Sequence, residues 1–510
     1  MNNTTTYPDR LKRNLITLST LIAVFLVTLD GTIATIALPQ IQSSLSASQE
    51  QIVWVLTSYM LASVIATPLS GWLAERFGRK RIMVLSVAGF TLSSLGCGIS
   101  TSLGELVLFR IVQGMTGASL VPLSQATFLD INPPENHGPA MALYGTGTLL
   151  GPLIGPTLGG WLTEYVSWHA VFLINVPFGI LGCLGLILFM SEHRREDKIS
   201  FDLFGFTALS IALASLQLML DRGQQLDWFS STEICIEAGI AASLAYIAVI
   251  HMLTTSNPFI KPGLFNDRNF SVGSILATLL GVFVVAVVPI MTTMMQQLFG
   301  YPVLLTGIVS APRAVGNILT MLLMGRFVAR VDARYLIIIG MLLTAGSLYT
   351  LATMTLDSDQ HTLMVATFIQ GCGSGFLFVP LTLVVFSTLR REYRNEGSTL
   401  FALTRNLGAA IGISYLQAFT IRDIAPARTQ LVDSVRVDNF ALAWPTPDFD
   451  ITGSAPIAWL EQEVMRQATM TAYLDSYRLL FILALAMTPL ALFMRSSRKS
   501  AAEQPAMHIE

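Results

Sequence analysis

The sequence predicts an all-α polytopic membrane protein, and three observations carry that expectation. Hydrophobic residues fill 53% of the 510 positions and charged residues only 12%, about half the charged share of a soluble domain. Fourteen apolar windows follow one another along the chain, each near the ~20 residues a bilayer crossing takes. Alternate connections between these windows hold most of the Lys and Arg, as threading through a membrane requires.

The windows lie near 14–38, 51–73, 82–100, 105–129, 138–162, 170–190, 203–220 and 233–253, then 271–295, 303–328, 335–356, 361–388, 397–420 and 473–494. The first follows Arg10, Lys12 and Arg13, is too long for a signal-peptide core and contains Asp30, so it reads as a retained span. Connections and tails on the N-terminal side hold 21 of the 30 Lys and Arg, among them Arg76, Arg79, Lys80, Arg81, Arg194, Arg195, Lys198 and Arg391. Arg110, Arg313 and Arg405 fall inside spans, and six basic residues lie on the other side. Both termini are therefore expected in the cytoplasm.

A repeat divides the chain. Gly71-Trp-Leu-Ala-Glu-Arg-Phe-Gly-Arg-Lys closes the second span, and Gly325-Arg-Phe-Val-Ala-Arg-Val-Asp-Ala-Arg closes the tenth, 254 positions later. Val112-Gln113-Gly114 in the fourth span matches Ile369-Gln370-Gly371 in the twelfth at an offset of 257. Two parallel six-helix bundles separated by an inserted helix pair account for both offsets. The expected organisation is a cytoplasmic tail (1–13), a first bundle (14–190), a cytoplasmic linker (191–202), the inserted pair (203–253) and a second linker (254–270). A second bundle (271–494) follows, with a hydrophilic outer loop at 421–472, and then a cytoplasmic tail (495–510).

Several function classes are excluded. With 30 basic against 32 acidic residues and no basic block, the chain has no nucleic-acid footprint. Cys97, Cys183, Cys235 and Cys372 are scattered and mostly sit in apolar runs, and the six histidines lack metal-ligand spacing. No Gly-Lys-Ser/Thr phosphate loop is present. Gly371-Cys-Gly-Ser374-Gly375 lacks the glycine two positions before the serine that a nucleophile elbow needs. The expectation is a non-enzyme without cofactor or metal.

Gly71, Glu75, Arg76, Gly78, Arg79 and Lys80 form a run that resembles the loop signature of the major facilitator superfamily, with Glu75 where the family usually has Asp. Such a run needs a small residue where helices touch, an acid that pairs with basic side chains and a tight turn at Gly78. The resemblance implies a cytoplasmic latch that breaks and reforms. Gly151-Pro152-Leu-Ile-Gly155-Pro156-Thr-Leu-Gly159-Gly160 resembles the superfamily's antiporter signature: glycines four apart admit a neighbouring backbone, and prolines bend the helix. Leu29-Asp30-Gly31-Thr32-Ile33, Trp168 with Phe172, Asn175, Val176 and Pro177, and Leu220-Asp221-Arg222-Gly223 with Asp227-Trp228-Phe229 are similar to fourteen-span drug:proton antiporters. Within that family they look most like the branch of EmrB, FarB and VceB, which implies export of hydrophobic toxicants from Gram-negative cells. It also implies the major facilitator fold, an inner-membrane location, and a periplasmic adaptor and outer-membrane channel as partners.

Asp30 is the most informative residue, because a carboxylate at membrane depth costs several kcal/mol unless paired, hydrated or protonated. Arg110 matches the family's fourth-span arginine, thought to tune proton exchange. Proximity of a guanidinium favours the carboxylate while burial favours the acid, and their balance can leave a group titratable near neutral pH. Thr367 stands where the repeat would put a second Arg110, so proton chemistry is expected in the first bundle. Asp30, Gln113, Arg313 and Arg405 are candidate substrate contacts, although either C-terminal arginine could instead bond exposed helix carbonyls. Several fourteen-span relatives that export dications carry additional acids in their tenth span, whereas this sequence has none there and places Arg313 instead; the resemblance thus implies neutral or weakly acidic amphiphiles as substrates, with 28 Phe and 21 Met available for adaptable contacts. Driving force would come from the proton-motive force. Import, export of a single metabolite such as a siderophore, and a non-transporting receptor or scaffold are the competing readings.

Overall fold

The computed structural model describes residues 7–192, 201–328, 330–390, 393–433 and 454–495. Arg194, Arg195, Lys198 and Arg391, most of the 191–202 linker, the middle of the 421–472 loop, the first six residues and the C-terminal tail beyond Arg495 lie outside them, as does the side chain of Pro156.

Every described apolar window is helical. The first bundle contains α1 (Arg10–Ser44), α2 (Gln49–Ala66), α3 (Leu69–Phe77), α4 (Arg79–Ile99), α5 (Leu103–Gly117), α6 (Leu120–Ile131), α7 (His137–Tyr165), α8 (Ala170–Leu173) and α9 (Asn175–Phe189). Helices α10 (Leu203–Arg222) and α11 (Thr232–Thr254) form the inserted pair. Then come α12 (Arg268–Leu280), a π-helical segment (Gly281–Ala286), α13 (Val287–Gln297), α14 (Val303–Phe327), α15 (Ala333–Ala352), α16 (Gln360–Ser387), α17 (Arg394–Val432) and α18 (Ser454–Met487). No strand occurs among the described residues.

Sequence chemistry explains the breaks. Ser48 and Gln51 make a reciprocal capping box at the start of α2, and Asp202, Asp267, Asp332 and Asp359 each cap a helix by accepting a backbone N–H. Pro68 stands at the junction of α2 and α3, which bend by 53°. Gly78 takes φ +93° between α3 and α4, a conformation closed to most side chains.

Among the described residues, 11 helices are long and apolar enough to cross a membrane, and counting the bent α2–α3 pair gives 12. Twelve of the fourteen expected windows are thus accounted for; the other two fall on α7 and α17, which do not stand out as apolar spans. The first is rich in glycine, and the second carries Arg405, Arg422 and Asp423.

Leucines 18, 85, 92 and 188 are each more than half exposed on the outside of the bundle, where a bilayer rather than water would satisfy them. Helix α11 buries only 11% of its apolar window and so lies at the lipid-facing edge. Contacts between the sequence repeats gather at the basic end, where α3 and α6 meet α17 and α7 meets α14.

Candidate functional site

The centre of the first bundle holds a closed polar cluster. Helices α1, α5 and α9 contribute four polar groups to it, Asp30 from α1, Arg110 and Gln113 from α5, and Asn175 from α9, all 0% exposed. Arg110 Nη1 donates to Asp30 Oδ2 at 2.6 Å, while Gln113 Nε2 and Asn175 Nδ2 donate to Oδ1 at 2.9 and 3.0 Å. The carboxylate thereby cross-links three helices. Arg110 Nη1 also reaches Gln113 Oε1 (2.7 Å), its Nε donates to the Val55 carbonyl (3.0 Å), and its Cζ lies 4.2 Å from the Tyr59 ring centroid. Gln113 Nε2 further donates to Ser94 Oγ at 2.7 Å.

A buried pair of this kind holds together only with such supplementary hydrogen bonds. Removing the charge from either side would leave the other buried and uncompensated. Gln113, a candidate substrate contact, is committed to Asp30 and Ser94. Asn175 and Ser94 carried no role in the sequence reading; a polar amide inside an apolar window was the signal for Asn175, whereas nothing distinguishes Ser94.

The glycine motif on α7 faces α1. A methyl group at Gly151 would strike Thr28 and Leu29, at Gly155 Thr32, and at Gly159 Ile33, so α7 lies against the same helix that carries Asp30. Gly160 faces open space, Pro152 is exposed, and α7 runs unbroken through both prolines. At its other end α7 meets α14: Gly325 packs on Ala142 and Pro139, and Gly145 on Met321.

The basic end carries a second cluster. Gly71 of α3 approaches the Glu396 backbone of α17, 3.3 Å from where a Cβ would stand, and Ser70 and Thr399 hydroxyls meet at 3.1 Å. Arg79 Nη2 and Arg394 Nη1 bind opposite oxygens of Asp130 at 2.7 and 2.6 Å, and Arg79 also donates to Asn395 Oδ1. Lys261 lies 2.7 Å from Glu396 and 3.8 Å from Glu75. Burial disfavours the Lys261 cation, yet Glu396 and Glu75 together hold its pKa above the usual lysine value. Lys80 donates to the Ile187 carbonyl within the first bundle, and Arg76 sits in the last turn of α3. Asp130, Asn395, Glu396 and Lys261 were not foreseen. An acid and an amide beside basic loops are common surface chemistry, and only the tertiary contact sets them apart.

In the second bundle Arg313 donates to the Val284 carbonyl of the π-helical segment. Arg405 lies with its Cζ 5.9 Å from the Phe378 ring centroid, and makes no hydrogen bond or ion pair among the described residues. Phe378 also stacks with Tyr144 of the first bundle, ring centroids 6.3 Å apart, so this guanidinium stands near the seam between bundles. No cluster of metal-ligating side chains occurs among the described residues.

A bundle of lipid-facing helices with a buried ion pair in one repeat and polar contacts between repeats at one end defines a multi-pass membrane protein of the transporter type. Residues 20–413 match the Major Facilitator Superfamily model, and the chain belongs to that superfamily. It is 32% identical over 458 residues to the multidrug export protein EmrB of Escherichia coli K12, covering 89% of this chain and 90% of that one. It is 34% identical to the fatty acid resistance protein FarB of Neisseria gonorrhoeae, covering 82% and 83%. The solved proton:xylose symporter XylE superposes with a TM-score of 0.60 at 13% identity, covering 94% and 97%, a likeness of fold alone.

Proposed function

We propose that this protein is a proton-coupled antiporter that exports hydrophobic or amphiphilic toxic compounds across the bacterial inner membrane by alternating access. The observation that carries this reading is the buried Asp30–Arg110 pair, a charge site that a single proton would unbalance. Similarity to EmrB and FarB supports multidrug export. In this reading α7 and α17 also cross the bilayer, giving fourteen spans with both termini cytoplasmic and the domain boundaries set out above. Helix α7 has 29 residues, about 43 Å at 1.5 Å per residue, and packs along α1, so it would run through the same layer.

Protonation of Asp30 would release Arg110 and loosen α1 against α5 and α9. Because α7 rests on α1 through Gly151, Gly155 and Gly159, and on α14 through Gly145 and Met321, a shift of α1 would reach the second bundle. Glu75, Arg76, Gly78, Arg79 and Lys80, together with Asp130 and Arg394, act as the cytoplasmic latch, a role that the Arg79–Asp130–Arg394 link supports. Arg405 is the substrate anchor: an unpaired guanidinium beside aromatic rings suits a weakly acidic amphiphile. Arg313, already bonded to a helix carbonyl, positions the π-helical segment instead. Coupling requires that the two facing states differ in affinity for proton and substrate. One charge crossing about 150 mV supplies roughly 3.5 kcal/mol, enough for a gradient of a few hundredfold. No cofactor is used. The protein would serve as the inner-membrane member of a three-part system, with the outer loop between α17 and α18 contacting a periplasmic adaptor that leads to an outer-membrane channel.

The test uses inverted membrane vesicles acidified inside and supplied with a fluorescent fatty-acid analogue. Wild type accumulates the probe, collapse of the proton gradient stops accumulation, and Asp30→Asn lacks it. Uphill accumulation by Asp30→Asn, or without any gradient, overturns the reading.

A further inference from the structure

Helix α2 stands between the Asp30–Arg110 pair and a second acid. On one side its Val55 carbonyl accepts from Arg110 Nε at 3.0 Å and its Tyr59 ring lies 4.2 Å from the guanidinium carbon. Between them in sequence is Thr57, roughly 200° around the helix from Val55, and its hydroxyl faces the carboxyl of Asp221 in α10. Asp221 Oδ1 accepts from Gln217 Nε2 at 2.8 Å, whereas Oδ2 is buried without a hydrogen-bond partner.

The charged groups on the elements packed around Asp221 are engaged elsewhere or make no ion pair with it. Arg222 pairs with Glu233 of α11. Glu237 of α11, and Arg422 and Asp423 of α17, form no ion pair with Asp221, and α2 offers no cation among its described side chains. One residue earlier, the Leu220 carbonyl accepts from Ser414 Oγ of α17. The end of α10 thus packs against α2 on one side and is hydrogen-bonded to α17 on the other.

We propose that Asp221 is a second proton-binding carboxyl of the transport cycle, standing behind α2 from the Asp30–Arg110 pair. The inference rests on the proton-coupled reading above. A neutral acid gives Oδ2 an O–H to donate, whereas a carboxylate has only acceptors there and no cation to offset its charge in a helix interface. Gain or loss of that proton changes how α10 holds the Thr57 side of α2, and the opposite face of the same helix holds Arg110 by a carbonyl and a ring. The inserted pair then takes part in coupling and is more than a spacer between bundles.

Infrared difference spectra of the reconstituted full chain, taken between acidic and alkaline buffer, test this without any substrate. Wild type is expected to lose carboxylic-acid C=O absorbance as pH rises from all of its titrating acids, with one component of that loss missing in Asp221→Asn and another missing in Asp30→Asn. In Asp221→Glu the first component is expected to persist at a shifted frequency, which separates titration of this site from a folding defect. A spectrum of Asp221→Asn identical to wild type, or no shifted band in a folded Asp221→Glu, overturns the proposal. Failure of the proton-coupled reading looks different: wild-type vesicles would then pump regardless of the pH gradient, whatever the Asp221 band does.

Discussion

In the first bundle Arg110 Nε donates to the Val55 carbonyl at 3.0 Å; in the second, Thr367 Oγ1 donates to the Val309 carbonyl at 3.3 Å. The carbonyls are 254 positions apart and the donors 257, so one backbone acceptor recurs and its donor has changed from a guanidinium to a hydroxyl. The same holds one turn on. Gln113 donates to the Asp30 carboxylate at 2.9 Å, and its repeat partner Gln370 donates to the Phe283 carbonyl at 3.4 Å. Phe283 stands 253 positions after Asp30, inside the π-helical segment. A wide π turn leaves backbone carbonyls free to accept, and two of them, at Phe283 and Val284, take up Gln370 and Arg313. Symmetry of architecture therefore coexists with asymmetry of charge. One core is built around an ionisable side chain, and the other around main-chain dipoles that no proton can alter.

The largest expected effect breaks the charged core. Arg110→Gln leaves Asp30 buried and uncompensated and should cost about 3–5 kcal/mol of stability, read from denaturation of the purified protein. Combining it with Asp30→Asn should restore most of that loss. A double variant as unstable as the single one would show that the pair is not the source.

Next comes Gly151→Val, which drives a side chain into Thr28 and Leu29 on α1. Overpacking of this kind costs about 1–3 kcal/mol and should reduce efflux, while Gly160→Val, facing open space, serves as the neutral control. Equal effects at the two sites would mean that the α1–α7 contact carries no special role.

The comparison is sharpened by Thr367→Val in the second bundle. It removes one hydroxyl with two acceptors and should cost only about 1 kcal/mol with proton coupling intact. A loss matching that of Arg110→Gln would mean that the two bundles do not differ in this way.

The smallest effect concerns acid. Burial, and then the nearby Arg394 charge, hold the His137 pKa below its ordinary value at the mouth of α7. As pH falls through the usual histidine range near ~6.5, the unfolded chain binds a proton that the folded one does not, so stability declines on acidification. His137→Gln should flatten that slope in melting temperatures measured against pH, and an unchanged slope would assign it to another group.

Much of the fold was legible in one dimension, because lipid demands long apolar helices with internally satisfied backbones and because the repeat offsets survive as residue spacing. Asp30, Arg110 and the glycines of α7 were legible for the same reason: each is costly or unusual in a membrane helix unless it has a use. Hydropathy was a weaker guide at α7 and α17, where glycine and charge needed for contacts between helices dilute the apolar signal. Which donors surround Asp30 could not be read, since Ser94 and Asn175 come from different helices and reach the site only through packing. Asp130 was likewise invisible until α6 met α4 and α17, which give it Arg79 and Arg394 together. The sequence by itself determined an apolar helical chain with an acid deep in its first span and a duplicated plan, because periodicity and composition act locally. Only the tertiary structure decided which charges pair, which arginine is already spent on a carbonyl and which stands unpaired, because those outcomes depend on side chains far apart in the chain sharing a few ångströms of low-dielectric space.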